Sequence, residues 1–193
     1  MIKKLDKKYL LLGGGWIAGL LKSYLGDKAL VWSHENYQIE HLNAINLDIN
    51  IVINTAARTN IDWCENHKVE TFKSNVEGAL NVAKITRGNG MKHVFFSSAC
   101  IFESENKDDW KDEDSIPNPK CFYTETKVMA EKLVMEANPD SLIIRPRLPL
   151  SEVPHPRNTI NKLLTYSQIN DNQESVTVIE DMIPVLIDLI KHD

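Results

Sequence analysis

Short apolar runs alternate with amphipathic stretches along this chain, as expected when parallel strands are each followed by a covering helix. Tyr9–Leu12 reads as a first strand and Trp16–Leu25 as its helix. Ala29–Trp32 reads as a second strand, and Ile51–Thr55, rich in β-branched residues, as a buried third. From Val69 to Gly88, Val76, Leu80, Ala83 and Ile85 recur at helical spacing, and Gly88 and Gly90 stop the run. His93–Ser97 is a fourth strand, Tyr123–Ala137 a helix followed by Pro139, and Ser141–Arg145 a fifth strand. The polar insertion Glu103–Pro119 reads as an acidic surface loop. The pattern predicts an α/β fold with a doubly wound parallel sheet, unbroken from Met1 to about Arg145. Residues 146–193 are less regular and close on an apolar helix at Asp181–His192; they read as the start of a substrate-binding section within one domain spanning 1–193.

Composition narrows the class of partner. With 193 residues, 42% hydrophobic and 25% charged, the chain suits one well-formed soluble domain. A net charge of -5 speaks against nucleic acid, which demands a concentrated basic face. The Lys3, Lys4, Lys7, Lys8 group reads as a solvated lead-in to the first strand. The same N-terminal stretch has the basic start and apolar run of a signal peptide, but Gly13–Gly15 interrupt it and strand, turn and helix account for it better. No run has the length of a membrane span. Three cysteines, Cys64, Cys100 and Cys121, cannot all pair with one another, which suggests thiols in a reducing, cytoplasmic setting.

Directly after the first strand stands Gly13-Gly14-Gly15-Trp16-Ile17-Ala18-Gly19. Gly13, Gly15 and Ala18 fit the G-x-G-x-x-G/A spacing of a dinucleotide site. There glycines give a tight turn and close backbone approach, and the pyrophosphate sits on free N–H groups opening the next helix, here at Trp16 and Ile17. The plain alternative is a glycine-rich turn with no ligand. Trp32-Ser33-His34-Glu35, at the end of the second strand, offers one basic and one acidic residue and leaves NADPH against NADH open.

Tyr123 and Lys127 form Y-x-x-x-K at the start of a helix, four residues apart and so on one face. A phenol is a weak acid at neutral pH, and a nearby ammonium favours its phenolate. Ser97 and Ser98, ending the fourth strand, offer a hydroxyl to polarise a substrate carbonyl.

Taken together, these residues resemble the extended short-chain dehydrogenase/reductases, whose landmarks occur here in order: the turn at Gly13, Asn54-Thr55-Ala56-Ala57, Asn75-Val76-Glu77-Gly78, Ser98 and Tyr123/Lys127. Further phrases are similar to those of the bifunctional 3,5-epimerase/4-reductases of nucleotide-rhamnose synthesis. These phrases are Asn60–Lys68, Cys100–Glu103, Phe122–Lys127, Arg145–Pro149 and Pro156–Lys162. The resemblance implies a Rossmann-type NAD(P)-binding fold and a nucleotide-linked 4-keto-6-deoxyhexose as substrate. It implies NADPH or NADH as hydride donor, and no metal. It also implies Ser98, Tyr123 and Lys127 as the reductive centre, with Cys100 and Lys162 moving protons in epimerisation. Ala56, Ala57, Arg58 and Asn75 would lie near the cofactor, and two copies would pair through the helices Val69–Gly88 and Tyr123–Ala137.

Two departures stand out. The family pattern G-x-x-G-x-x-G has Leu12 and Ala18 at its outer positions here. Members of the family also run longer, so the substrate-binding section is expected to be truncated. A non-catalytic reading is therefore the alternative: a cofactor-binding or regulatory module, like the regulatory β subunit of methionine adenosyltransferase in the same superfamily.

Overall fold

The computed structural model describes residues 8–34, 38–45, 47–104, 109–169 and 173–192. Five parallel strands form its central sheet: β1 (Tyr9–Leu12), β2 (Ala29–Trp32), β3 (Ile51–Asn54), β4 (Lys92–Phe96) and β5 (Leu142–Ile144), in the order β2-β1-β3-β4-β5. All five expected strands are present, with ends shifted by no more than about a residue. Period-two alternation splits their side chains between two faces. Tyr9, Leu11, Ile51, Ile53, Val94 and Phe96 share one core with Leu21 of α1 (Trp16–Leu25). Leu10, Leu12 and Val52 face Val82 of α4 (Gly78–Gly88), together with Ile39, Leu42, Ile45 and Ile49. Phe95 packs with Ala79 and Ala83 of that helix and with Ala130 and Val134 of α5 (Phe122–Ala137).

The single helix expected over Val69–Gly88 is instead a composite. Ahead of it stands α2 (Ile61–Asn66), opened by Asn60, whose side chain accepts a hydrogen bond from the Trp63 N–H at 2.8 Å. Next come α3 (Lys68–Phe72), a π-helical turn at Lys73–Glu77, and α4. The wider turn carries buried Asn75 to the loop after β3, so local spacing yields here to a long-range contact.

After β5 come the two-residue strand β6 (Pro149–Leu150), the short helix α6 (Thr159–Leu163), β7 (Thr177–Val178) and α7 (Ile179–His192). β6 and β7 pair in parallel as a separate ribbon. The apolar helix expected at Asp181–His192 begins two residues earlier. Its Ile179, Ile183, Leu186, Ile187 and Ile190 complete the core shared with β1, β3 and β4. Part of the section read as substrate-binding therefore covers one face of the sheet. No helix among the described residues is long and apolar enough to cross a membrane.

Candidate active site

Because all five strands are parallel, their carboxyl ends share one edge of the sheet. β2 lies on one side of β1 and β3 on the other, so chain direction switches there and opens a crevice. The glycine turn stands at that switch. Gly13 has φ +111°, and a side chain there would meet Thr55 Oγ1 at 2.8 Å and the Ala56 nitrogen at 3.0 Å. A side chain at Gly14 would run into Ser33 Cβ at 2.7 Å. Backbone bonds from Gly13 N–H to Trp32 C=O and from Thr55 N–H to Leu12 C=O, each 2.9 Å, hold the turn between its neighbours. Helix α1 starts at Gly15 with neither a capping side chain nor an acidic residue in its first turn, which leaves its positive end unmatched. Ile17 packs into the core, so only its backbone can face a ligand. Three buried polar atoms at this edge have no partner among the described residues: Trp16 Nε1, Asn54 Nδ2 and Ser97 Oγ. A cradle closed to side chains, an uncapped helix start and orphaned polar atoms fit a dinucleotide.

After β3, the Ala56 N–H donates to Asn54 Oδ1 at 3.1 Å. Asn75 is the clamp for the next stretch. Its Oδ1 accepts from the Arg58 N–H at 2.7 Å, and its Nδ2 donates to the Arg58 carbonyl at 2.9 Å and to Thr126 Oγ1 at 3.2 Å. One buried amide thereby ties the loop bearing Ala56, Ala57 and Arg58 to the helix bearing Tyr123 and Lys127. The Arg58 guanidinium lies 5.2 Å from the Trp63 ring centre, with Nη2 2.9 Å from His34 Nε2. A cation thus stands at the end of β2; Glu35, also weighed for cofactor choice, lies outside the described residues.

At the end of β4, Ser98 opens a short helical turn and its hydroxyl accepts from the Cys100 N–H at 3.1 Å. Tyr123, in the first turn of α5, faces it. Burial pushes the phenol well above its ordinary pKa and the neighbouring Cys100 adds to this, while a hydrogen bond with Ser98 pulls the other way. Lys127 is 2% exposed; its Nζ donates to the Phe96 carbonyl at 2.7 Å and lies 4.6 Å from the Phe95 ring centre. Burial lowers its pKa to about 8, against the pull of Glu131. Ser98 and half-buried Tyr123 thus face each other at the end of β4, while Lys127, one helical turn further along α5, is buried against Phe96 and Phe95. The phenol keeps its proton, as a general acid requires.

Cys100 is half-buried beside this centre. Its thiol has a neighbour that motif spacing does not show: the guanidinium of Arg147, which forms an ion pair with Glu174. Burial works against the charge of Arg147, but Glu174 and Cys100 hold its pKa above the ordinary value. Next to Arg147, Leu148 takes φ +37°, a left-handed conformation costing a side-chain-bearing residue on the order of 1–3 kcal/mol. Lys162 stands exposed on α6, and its ammonium has no hydrogen bond or ion pair among the described residues. The structure therefore brings Cys100 beside Ser98 and Tyr123 and leaves Lys162 outside their bonded network. Trp16 stacks on His155, with ring centres 5.3 Å apart and planes 3° from parallel, a contact spacing alone could not show.

Residues 32–184 match the profile of the RmlD substrate-binding domain family. In Arabidopsis thaliana, the trifunctional UDP-glucose 4,6-dehydratase/UDP-4-keto-6-deoxy-D-glucose 3,5-epimerase/UDP-4-keto-L-rhamnose-reductase is 32% identical over 99% of this chain and 31% of its own. The bifunctional dTDP-4-dehydrorhamnose 3,5-epimerase/dTDP-4-dehydrorhamnose reductase of the same plant is 31% identical over 93% of this chain and 64% of its own. Among solved structures, a UDP-rhamnose synthase of Acanthamoeba polyphaga mimivirus superposes with a TM-score of 0.80 at 25% identity, covering 96% of this chain and 72% of that one. The chain spans less than two thirds of the length of these two plant relatives.

Proposed function

The chain belongs to the RmlD substrate-binding domain family, and on that footing we propose that it is an NADPH- or NADH-dependent reductase of a nucleotide-linked 4-keto-6-deoxyhexose. The observation that carries this reading is that Ser98, Tyr123 and buried Lys127 gather at the carboxyl end of β4, on the same edge of the parallel sheet as the glycine turn after β1. Held at the glycine turn, NADPH or NADH would supply a hydride to the keto carbon. Tyr123, whose proton burial retains, donates it to the oxygen that becomes an alkoxide, and the Ser98 hydroxyl holds that oxygen in place. Lys127, drawn down to about 8 by burial and bonded to the Phe96 carbonyl, is the cation that shares a helix face with Tyr123.

The finer reading adds 3,5-epimerisation before reduction, as in the bifunctional and trifunctional relatives. Protons α to a ketone must leave one face of the ring and return on the other, which takes two groups. Cys100, whose backbone N–H bonds the Ser98 hydroxyl and whose thiol neighbours Arg147, is one candidate. Lys162, exposed on α6, is the other by resemblance. Pairing of two copies across α4 and α5 belongs to the same reading.

The test is incubation with UDP-4-keto-6-deoxyglucose and NADPH, following loss of reduced-nicotinamide absorbance. Oxidation that disappears in Tyr123→Phe supports the reductase. Cofactor binding with no oxidation in either protein would support the non-catalytic module instead. Deuterium uptake at the two α carbons in heavy water, lost in Cys100→Ser, tests the epimerase step.

A further inference from the structure

The loop between β6 and α6 is knit into one conformation by its own side chains. Asn158, 2% exposed, donates to the Ser151 carbonyl at 2.7 Å and the Val153 carbonyl at 3.3 Å, and its Oδ1 caps α6. The Ser151 hydroxyl donates to Glu180 at 2.5 Å and accepts from the Val153 N–H at 3.1 Å. The His155 N–H donates to Asn161, and its Nδ1 accepts from the Arg157 N–H at 3.1 Å. A loop so tied sets its outward side chains in fixed places.

Two of those side chains meet the glycine turn. His155 lies flat on Trp16, the first residue of α1. Arg157 reaches Gly15 itself, with Nη1 3.6 Å from the point where a side chain at Gly15 would begin. This juxtaposition is electrostatically odd. The start of α1 carries the positive end of the helix dipole and no acidic residue in its first turn. The Arg157 guanidinium has no carboxylate partner among the described residues. Arg157 is exposed, so water screens the repulsion between these two positive groups, and an anion placed between them would be attracted by both. Trp16 Nε1, buried and without a partner, adds an unused donor at the same helix start.

We propose that Arg157 is a cofactor-binding residue that closes the pyrophosphate site from the side opposite the glycine turn, with His155 on Trp16 as the positioning contact. The inference rests on the dinucleotide reading above and deepens it: the diphosphate bridge is held between the backbone of one section and the guanidinium of another. A bidentate, charge-assisted contact with phosphate oxygens is what a guanidinium provides and a lysine does not. Bound cofactor thereby fixes the loop that precedes Lys162.

ADP-ribose, which contains the diphosphate, and adenosine, which lacks it, separate the possibilities without catalysis. Calorimetry on the whole chain is expected to show ADP-ribose binding about tenfold weaker in Arg157→Gln, or about 1.4 kcal/mol. Adenosine binding, followed by saturation-transfer NMR, is expected to change less than about twofold. Arg157→Lys should recover part of the loss. His155→Ala should weaken ADP-ribose about threefold and leave adenosine unmoved. Unchanged ADP-ribose affinity in Arg157→Gln, or an equal loss for adenosine, would overturn the assignment of Arg157 and leave the cofactor site standing. Absence of ADP-ribose binding in the unaltered chain would sink both.

Discussion

Gly13 and Gly19 lie six residues apart, and a methyl group should have opposite effects at the two. At Gly13 the backbone has φ +111°, and an added Cβ would sit 2.8 Å from Thr55 Oγ1, 3.0 Å from the Ala56 nitrogen and 3.1 Å from Ala56 Cα. Two of those three atoms are backbone at the end of β3 and cannot rotate away. Holding an alanine at such φ costs on the order of 1–3 kcal/mol, and relieving the overlap a further roughly 1–3 kcal/mol. A total near 3 kcal/mol corresponds to a fall in Tm of about 6–12 °C for a chain of this size. At Gly19, exposed inside α1, nothing lies within 4 Å of the new Cβ. Alanine there removes unfolded-chain entropy and should stabilise by about 0.5–1 kcal/mol. Thermal unfolding followed by circular dichroism reads both, and ADP-ribose binding should disappear only in Gly13→Ala. A Gly13→Ala protein melting within a degree of the parent would refute the close-approach reasoning. So would a Gly19→Ala protein that loses as much as Gly13→Ala.

Asn75→Ala strips the Arg58 N–H and carbonyl of their buried partner and should cost about 2–4 kcal/mol in urea unfolding, with cofactor affinity falling several-fold. A loss below about 0.5 kcal/mol would mean that water replaces the amide freely. His93, fully buried on β4, has its pKa lowered by burial to about 4 from an ordinary 6.5, with Nδ1 on Ser141 Oγ at 2.9 Å and Nε2 unpartnered. The unfolded chain takes up this proton first, so stability is full above pH 6.5 and falls as pH drops toward about 4, by roughly 3 kcal/mol in all. Stability measured against pH should be flatter by that amount in His93→Gln, and superimposable curves would exclude His93 as the group responsible.

Strand positions were legible because each lies between a turn signal and an apolar run of fixed period. Tyr9–Leu12 and Ile51–Asn54 are buried on both faces, and their uninterrupted apolar character announces it. The grouping of Ser98 with Tyr123 was legible for a similar reason, since Tyr123 opens the helix after the fourth strand and Ser98 ends that strand. The failures share a cause in contacts between distant segments. Asn75 draws its helix into a π turn to reach Arg58, and helical spacing from Val69 to Gly88 carries no sign of that demand. The Asn60 cap that begins α2 was visible as a residue type but not counted as a helix start. Arg147 beside Cys100, and His155 on Trp16, join parts of the chain that no local pattern relates.

The placement of α7 bears on how the chain reaches its native state during synthesis. Ile179, Ile183, Leu186, Ile187 and Ile190 pack beneath β1, β3 and β4, whose residues leave the ribosome long before them. Until residue 190 has emerged, that face of the sheet is covered only by α1, and the contacts that complete it are among the most distant in sequence. Such topology slows folding and lengthens the time in which sticky intermediates persist. A nascent chain interrupted before Ile179 would present chaperones and proteases with an open sheet.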